Sequence, residues 1–412
     1  MRLHAGSLYW PSTYSDSELY HYPPLAHETK RTTAVIIGGG MSGITCGYVL
    51  ANSGIPAIVI DQRTIASGST SANTGLLQYS NDKMLSEFIP EFGEEKAVKF
   101  YRACMQAVEQ ISIVVDHLPN DVDFKRRSSL YYASNEQDVL SLRQEFDTLH
   151  KWGFSVEWWN ADQIANKFPF RKAAALVTQG DAEINPFKFV HAMAQTAHFK
   201  GLGIYEHTPL LTVESRTGGG FRVITSQGVI EAEHVIYAVG YLPEVARSAR
   251  IRFVMDRSYA MVTSPLPSLS DWHQRFLLWE TARPYLYLRT TVDNRIIVGG
   301  LDESHREPVL TEQELHIHAM RLLSELHHLF PSLKPEIQYQ WCATFGQSSD
   351  GLPWIGEDPD RPGQHFCLGY GGNGSVYSML GAHLIRDRLC GIDNEIALIT
   401  RLDRPVSQPA SS

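Results

Sequence analysis

The sequence predicts an α/β fold in which a parallel, nucleotide-binding core is interrupted by a smaller antiparallel-sheet (α+β) domain. Three observations predict it. Short continuous apolar runs followed by glycines or helices stand near the start, strictly alternating residues fill the middle, and glycine-dense loops precede a final helix. A chain of 412 residues also exceeds what one small core organises.

The elements follow in order. Residues 1–30 are rich in Tyr, Pro and Ser, as in Leu8-Tyr9-Trp10-Pro11 and His21-Tyr22-Pro23-Pro24. They read as an extended N-terminal arm, either a disordered leader or a segment that lies on the body. Order is expected from Thr33. Ala34-Val35-Ile36-Ile37 is a buried parallel strand, Ser42 to Ser53 a helix, and Ala57-Ile58-Val59-Ile60 a second strand ending at Asp61. Residues 81–150 are mostly helical, broken by a strand at Ser129–Tyr132. Pro186 opens a helix after Asn185. Strands follow at 203–206, 209–214, 221–226, 229–232 and 234–240. Residues 255–300 alternate as antiparallel sheet, with Asp293-Asn294 as a turn. A helix is expected over 311–330.

Composition excludes several function classes. A net charge of −9 disfavours nucleic acid as a partner. No run approaches the roughly 18 apolar residues of a transmembrane helix, and the first thirty residues lack the apolar stretch of a secretory signal. The five cysteines are scattered, with no Cys-x-x-Cys pair, as expected of reduced thiols in a cytoplasmic protein. No metal site is expected: His316, His318, His327 and His328 lack the three- or four-residue helical spacing of paired ligands and read as a solvated helix face.

Gly38-x-Gly40-x-x-Gly43 follows a strand and opens a helix. Gly38 permits the tight turn, Gly40 lets a pyrophosphate approach the backbone, and Gly43 lets the helix pack on the strand. The helix N-terminus offers free N–H groups to phosphates. Asp61, 18 positions after Gly43, suits a ribose diol. This is a Rossmann-like dinucleotide fingerprint that by itself does not distinguish NAD from FAD.

Two further segments add to it. Ser67-Gly68-Ser69-Thr70-Ser71-Ala72-Asn73-Thr74-Gly75 follows Asp61. Asp350-Gly351-Leu352-Pro353 and Gly369-Tyr370-Gly371-Gly372-Asn373-Gly374-Ser375 come near the end. Together with the first motif, from about Thr33 to Gly391, these resemble the FAD-dependent D-amino-acid oxidase family, which includes glycine, sarcosine and gamma-glutamylputrescine oxidases. Asp181–Pro186 and Tyr237–Gly240 resemble its middle segments. The resemblance implies a discontinuous FAD-binding domain (31–110, 170–250 and 340–400) and a substrate domain (111–169 and 251–339). It implies that FAD contacts Gly38, Gly40, Met41, Ser42, Gly43, Asp61, Gln62, Ser69, Thr70, Ser71, Asn73, Leu210, Leu211, Gly240, Gly372, Asn373, Gly374 and Ser375. The implied reaction is oxidation of a C–N bond in a small amine or amino acid, with hydride passing to flavin N5 and the imine hydrolysing. O₂ or another acceptor would reoxidise the flavin.

Departures from the family sharpen the expectation. Family members that oxidise amino acids carry an arginine four positions after a tryptophan, as a clamp for the substrate carboxylate. Here Trp341-Cys342-Ala343-Thr344-Phe345 places Phe345 there. Either the substrate lacks an α-carboxylate or another arginine serves. Arg289, alternating with Tyr285 and Tyr287 on one strand face, and Arg283 are the candidates, against an ordinary packed face. The cysteine that attaches FAD covalently in sarcosine-oxidase-like enzymes is matched by Ala343, and no histidine stands near Ser71, so non-covalent FAD is expected. Two alternatives keep the fold: oxidation of a hydroxy acid or similar C–O substrate, and a non-catalytic flavin-binding module. The basic run Lys125-Arg126-Arg127 reads as a solvated face. Trp158-Trp159 reads as core, and Asp181 and Glu183 as residues favouring the helix start.

Overall fold

The computed structural model describes residues 3–15, 19–241, 248, 250–309 and 311–405. Parts of the arm (1–2 and 16–18) therefore lie outside the described residues. Two sheets organise the chain. The first has eight strands, and its parallel centre runs Arg361–Leu368, Gly228–Tyr237, Thr29–Ile37, Ala57–Ile60 and Gly203–Tyr205. Ile36 sits between Ile236 and Val59 in register, and all three are sealed from solvent. The first strand starts at Thr29, earlier than expected, because residues 29–32 pair with 229–232.

Helix Met41–Asn52 packs against this sheet and against helices Pro186–Phe199 and Gly374–Leu389. Ten of its residues are buried, which is why its sequence shows no polar face. Gly47 permits the close approach: a Cβ there would stand 2.8 Å from Leu202 Cδ2. Asn185 caps Pro186–Phe199 by accepting from the Lys188 amide at 3.1 Å.

The second sheet has ten strands and is antiparallel, apart from the parallel pair Leu277–Glu280 with Lys125–Tyr132. It holds several segments expected in the nucleotide-binding part. Ala174–Glu183, residues 340–347 and Leu76–Leu77 are all strands of this sheet. Cross-strand pairs such as Tyr131 with Leu176 and Ala260 with Trp341 fix them there, contacts that local sequence does not encode.

The described part of the arm lies on the body. His4–Gly6 adds an edge strand beside Trp341–Ala343, and Trp10 is 1% exposed. One expectation for the histidines is corrected. His316, His327 and His328 are exposed, but His318 is buried, stacked on Tyr259 at 3.7 Å, because it falls on the apolar face of its helix. Cys46, Cys104, Cys342 and Cys367 are buried and Cys390 is exposed, all as free thiols. Among the described residues no helix is long and apolar enough to cross a membrane.

Candidate active site

The glycine motif sits at the carboxyl end of the parallel sheet. Gly38 has φ +109°, and a Cβ there would lie 2.4 Å from Ala238 O. A Cβ on Gly43 would lie 1.7 Å from Gly38 O, so the helix can start this close to the turn only without one. Asp61 accepts from the Gly39 amide at 2.7 Å and from the Arg63 amide at 2.8 Å, which fixes the carboxylate at the strand end. Each of its oxygens keeps a further lone pair for a ribose hydroxyl.

An elongated cleft runs from Asp61 to the start of helix Gly374–Leu389 and encloses about 1100 Å³, its open mouth included. Of the positions expected to contact the cofactor, Gly38, Gly40, Met41, Ser42, Asp61, Gln62, Ser69, Thr70, Asn73, Leu210, Gly240, Gly374 and Ser375 line it. Three do not. Gly43 lies beneath the turn, and the Ser71 hydroxyl is spent on Gly68 O at 2.9 Å. Leu211 is 58% exposed, since successive strand residues face opposite ways and Leu210 takes the inner side. Gly372 and Asn373 line a neighbouring cavity instead. Sequence reasoning missed Leu3, Arg63, Tyr241 and Tyr370; Leu3 arrives from the arm, which no local pattern signals.

The residues fit FAD on their chemistry. Ser69 Oγ, Ser375 Oγ, Arg63 Nε and Tyr370 Oη are buried at this cleft with no partner in the protein. The amino ends of two helices, Met41–Asn52 and Gly374–Leu389, border it, and both favour negative charge. The 69–75 loop is held from outside the cleft-forming sheet. Trp10 Nε1 donates to Asn73 O, Trp341 Nε1 to Ala72 O at 3.0 Å, and Arg289 Nη1 to Gly75 O at 2.7 Å. These donors tie the backbone of residues 72, 73 and 75 to the arm and the antiparallel sheet.

The neighbouring cavity opens from the cleft, sharing Ser69, Asn73 and Tyr241 with it. Tyr285, Tyr287 and Phe345 line it as expected. Tyr287 lies across Gly299 of the next strand, where a Cβ would meet the ring at 2.3 Å. Burial pushes the Tyr287 phenol up to about 12. Arg289 is not on this cavity. It is 1% exposed and donates to Gly75 O, Ile184 O at 2.9 Å and Thr290 O at 3.0 Å, with Glu183 3.8 Å away. It shares a strand face with the tyrosines, but its end of that face is covered by the 69–75 loop and by Trp10, 5.5 Å away. Arg283 stacks on Tyr285 at 5.0 Å, and its guanidinium donates to Asp82 O at 3.1 Å and Ala282 O at 3.0 Å.

Asp82, Asp302, Ser258 and Trp279 also line the cavity and escaped sequence reasoning. Asp302 is aimed inward by a bulge: Arg257 pairs with Glu303 but Tyr259 pairs with Gly300, and Leu301 takes φ +57° between them. Burial, with Asp82 and Asp256 nearby, raises the Asp302 carboxyl to about 7, against the pull of the Ser258 hydroxyl. Asp181 and Glu183 do not act as helix-start charges. Both are sealed, Asp181 accepting from Ser129 and Thr178 hydroxyls at 2.6 Å and Glu183 facing Arg127 at 2.8 Å.

Fold and cleft define a flavin-dependent oxidoreductase. The chain belongs to the family described as FAD dependent oxidoreductase, whose model matches residues 33–388. Glycine oxidase of Bacillus licheniformis is 24% identical over 377 residues, 88% of this chain and 94% of that protein. A Bacillus subtilis (strain 168) protein named as a Rieske 2Fe-2S iron-sulfur protein is 26% identical over 354 residues, 84% of this chain; the chain spans only 66% of that relative's length. Among solved structures, glycine oxidase from Geobacillus kaustophilus superposes with a TM-score of 0.79 at 20% identity, covering 92% of this chain and all of that one.

Proposed function

We propose that this enzyme oxidises the C–N bond of a small amine. The observation that carries the reading is the make-up of the cavity beside the cleft. No Lys, Arg or His is among its described lining residues, while Asp82 and Asp302 are. A carboxylate or phosphate substrate would meet uncompensated negative charge there, whereas an amine would not. The glycine oxidase relative supports C–N chemistry, and the phenylalanine at the clamp position supports a substrate without an α-carboxylate.

The chemistry FAD supplies when bound is acceptance of a hydride from the carbon beside nitrogen. The protein binds and orients. Ser69, Asn73 and Tyr241 stand where cleft and cavity join, so they bound the place where the reacting carbon sits. Phe345, Trp279 and Tyr287 give the cavity aromatic walls, and low-polarity surroundings favour the uncharged amine whose lone pair forms the C=N bond. The nitrogen then loses its proton, and water converts the imine to a carbonyl compound and a released amine or ammonia. The two electrons pass on to O₂ or another acceptor.

Anaerobic titration of the yellow holoenzyme tests this reading. Amines, N-methyl amino acids, D- and L-amino acids and hydroxy acids are added in turn while flavin absorption is followed. Bleaching by amines is expected; bleaching by hydroxy acids alone overturns the reading.

A further inference from the structure

The cavity beside the cleft contains more than an amine-oxidising site needs. A carboxylate close to the reacting nitrogen would keep that nitrogen protonated and unreactive. Yet two carboxylates line this cavity. Asp302 Oδ1 is buried with no partner at hydrogen-bond distance, the Ser258 hydroxyl standing beside the carboxyl. Asp82 is held in place, its Oδ2 accepting weakly from the Gly372 amide at 3.3 Å, and it keeps acceptor capacity on both oxygens. Aromatic rings surround them: Tyr285 and Tyr287, 5.7 Å apart, and Trp279, which is 5% exposed and stacked on Tyr131 at 3.7 Å. Trp279 Nε1 is likewise buried without an acceptor, a second mark of a wall built toward a polar ligand.

The charges around these carboxylates do not cancel them. Asp256, on the strand packed beside Asp302, adds a third carboxylate and is bonded to Gln347 Nε2 at 2.7 Å. Arg283, over the Tyr285 ring, offsets the carboxylates only in part: it pulls the Asp302 carboxyl down, but burial and the neighbouring carboxylates outweigh it, and its guanidinium donates to backbone oxygens. Carboxylates beside aromatic faces recognise an organic cation through ion pairing and cation–π attraction together.

Resting on the C–N reading above, we infer that the substrate is a diamine: one nitrogen is oxidised at the flavin, and a second, cationic nitrogen is held by Asp302 and Asp82 between Tyr285, Tyr287 and Trp279. The second cation satisfies the buried Asp302 oxygen and leaves the reacting nitrogen free to be neutral. A distal carboxylate on the same chain length is rejected by the same groups.

The test is a matched series on the holoenzyme. Linear α,ω-diamines of three to six carbons are compared with the monoamine and the ω-amino acid of each length, as kcat/KM and as anaerobic flavin bleaching. The best diamine should exceed its monoamine by at least tenfold and its ω-amino acid by more. In Asp302→Asn, checked by retained flavin absorbance, the diamine-to-monoamine ratio should fall toward one; Asp82→Asn should lower it independently. If monoamines or ω-amino acids match the diamines in the unaltered enzyme, the diamine inference is overturned while C–N oxidation stands. If no amine bleaches the flavin and a hydroxy acid does, the C–N reading itself falls. If nothing in either series bleaches it, the diamine assignment is overturned.

Discussion

Arg289 donates from Nη1 to the carbonyl oxygen of Gly75 at 2.7 Å, joining the antiparallel sheet to the loop that borders the cofactor cleft. Gly75 accommodates this with φ +78°, where a Cβ would stand 2.7 Å from the same guanidinium nitrogen. Arg289 is thus a positioning residue for the 69–75 loop. Arg289→Met leaves Glu183 with only Arg127 and takes a donor from three carbonyls. Breaking a buried ion pair on one side costs about 3–5 kcal/mol. We expect a lowered Tm and a faster loss of FAD on gel filtration, which thermal melts and flavin absorbance read.

Gly43→Ala should remove flavin binding altogether, because its Cβ would collide with Gly38 O at 1.7 Å. Gly40→Ala meets only the Thr70 hydroxyl at 3.2 Å within the protein, so the turn should fold and FAD should be weakened, through the pyrophosphate approach, less than by Gly43→Ala. Equilibrium titration of FAD into both deflavinated variants separates them; equal affinities would contradict the geometry.

Asp61→Ala strands the Gly39 and Arg63 amides and removes the proposed ribose acceptor. An unsatisfied buried donor costs about 1–3 kcal/mol, so the FAD Kd should rise at least tenfold. Asp61→Asn, able to accept only at one oxygen, should fall between.

Asp302 gives a signed pH dependence. Its carboxyl is raised to about 7, so the carboxylate forms as pH climbs through that value. A quaternary alkylammonium, which does not titrate, should therefore inhibit more strongly at pH 8 than at pH 6. Asp82, Asp256 and Arg283 surround the group, and Asp302→Asn identifies its share. For stability the sign reverses. The folded state holds this proton more tightly than the unfolded chain, so Asp302's contribution falls as pH rises from about 4 to about 7 and is flat above. Chemical denaturation across that window, with and without the substitution, checks it.

Trp10→Ala should also weaken FAD retention, though Trp10 does not line the cleft. It empties a site 1% exposed and removes the donor to Asn73 O. Truncating a buried tryptophan costs about 3–5 kcal/mol, and differential scanning fluorimetry at fixed FAD reads the loss.

The glycine turn that borders the cleft is legible in the sequence because each of its parts is local: apolar strand, glycines, helix and terminal acid lie within thirty residues. The second cavity was only half legible. Alternation placed Tyr285 and Tyr287 on one face, but it also placed Arg289 there and said nothing of what covers each end. Asp302 was hidden because the bulge at Leu301 breaks the period-two pattern that reveals strand faces. Asp82, on a segment read as the start of a helix, reaches the cavity only because a loop from the far end of the chain meets it at Gly372. The domain boundaries were blurred for a similar reason: strands such as Ala174–Glu183 are assigned by their partners, not by their own composition.

The His4–Gly6 strand leaves the ribosome long before Trp341–Ala343, the residues it pairs with. Until that late segment arrives, Leu3 lacks its partner Thr344, and the cleft wall it completes is open. Closing the cofactor cleft therefore requires pairing between segments far apart in the chain, and such distant pairing is slow.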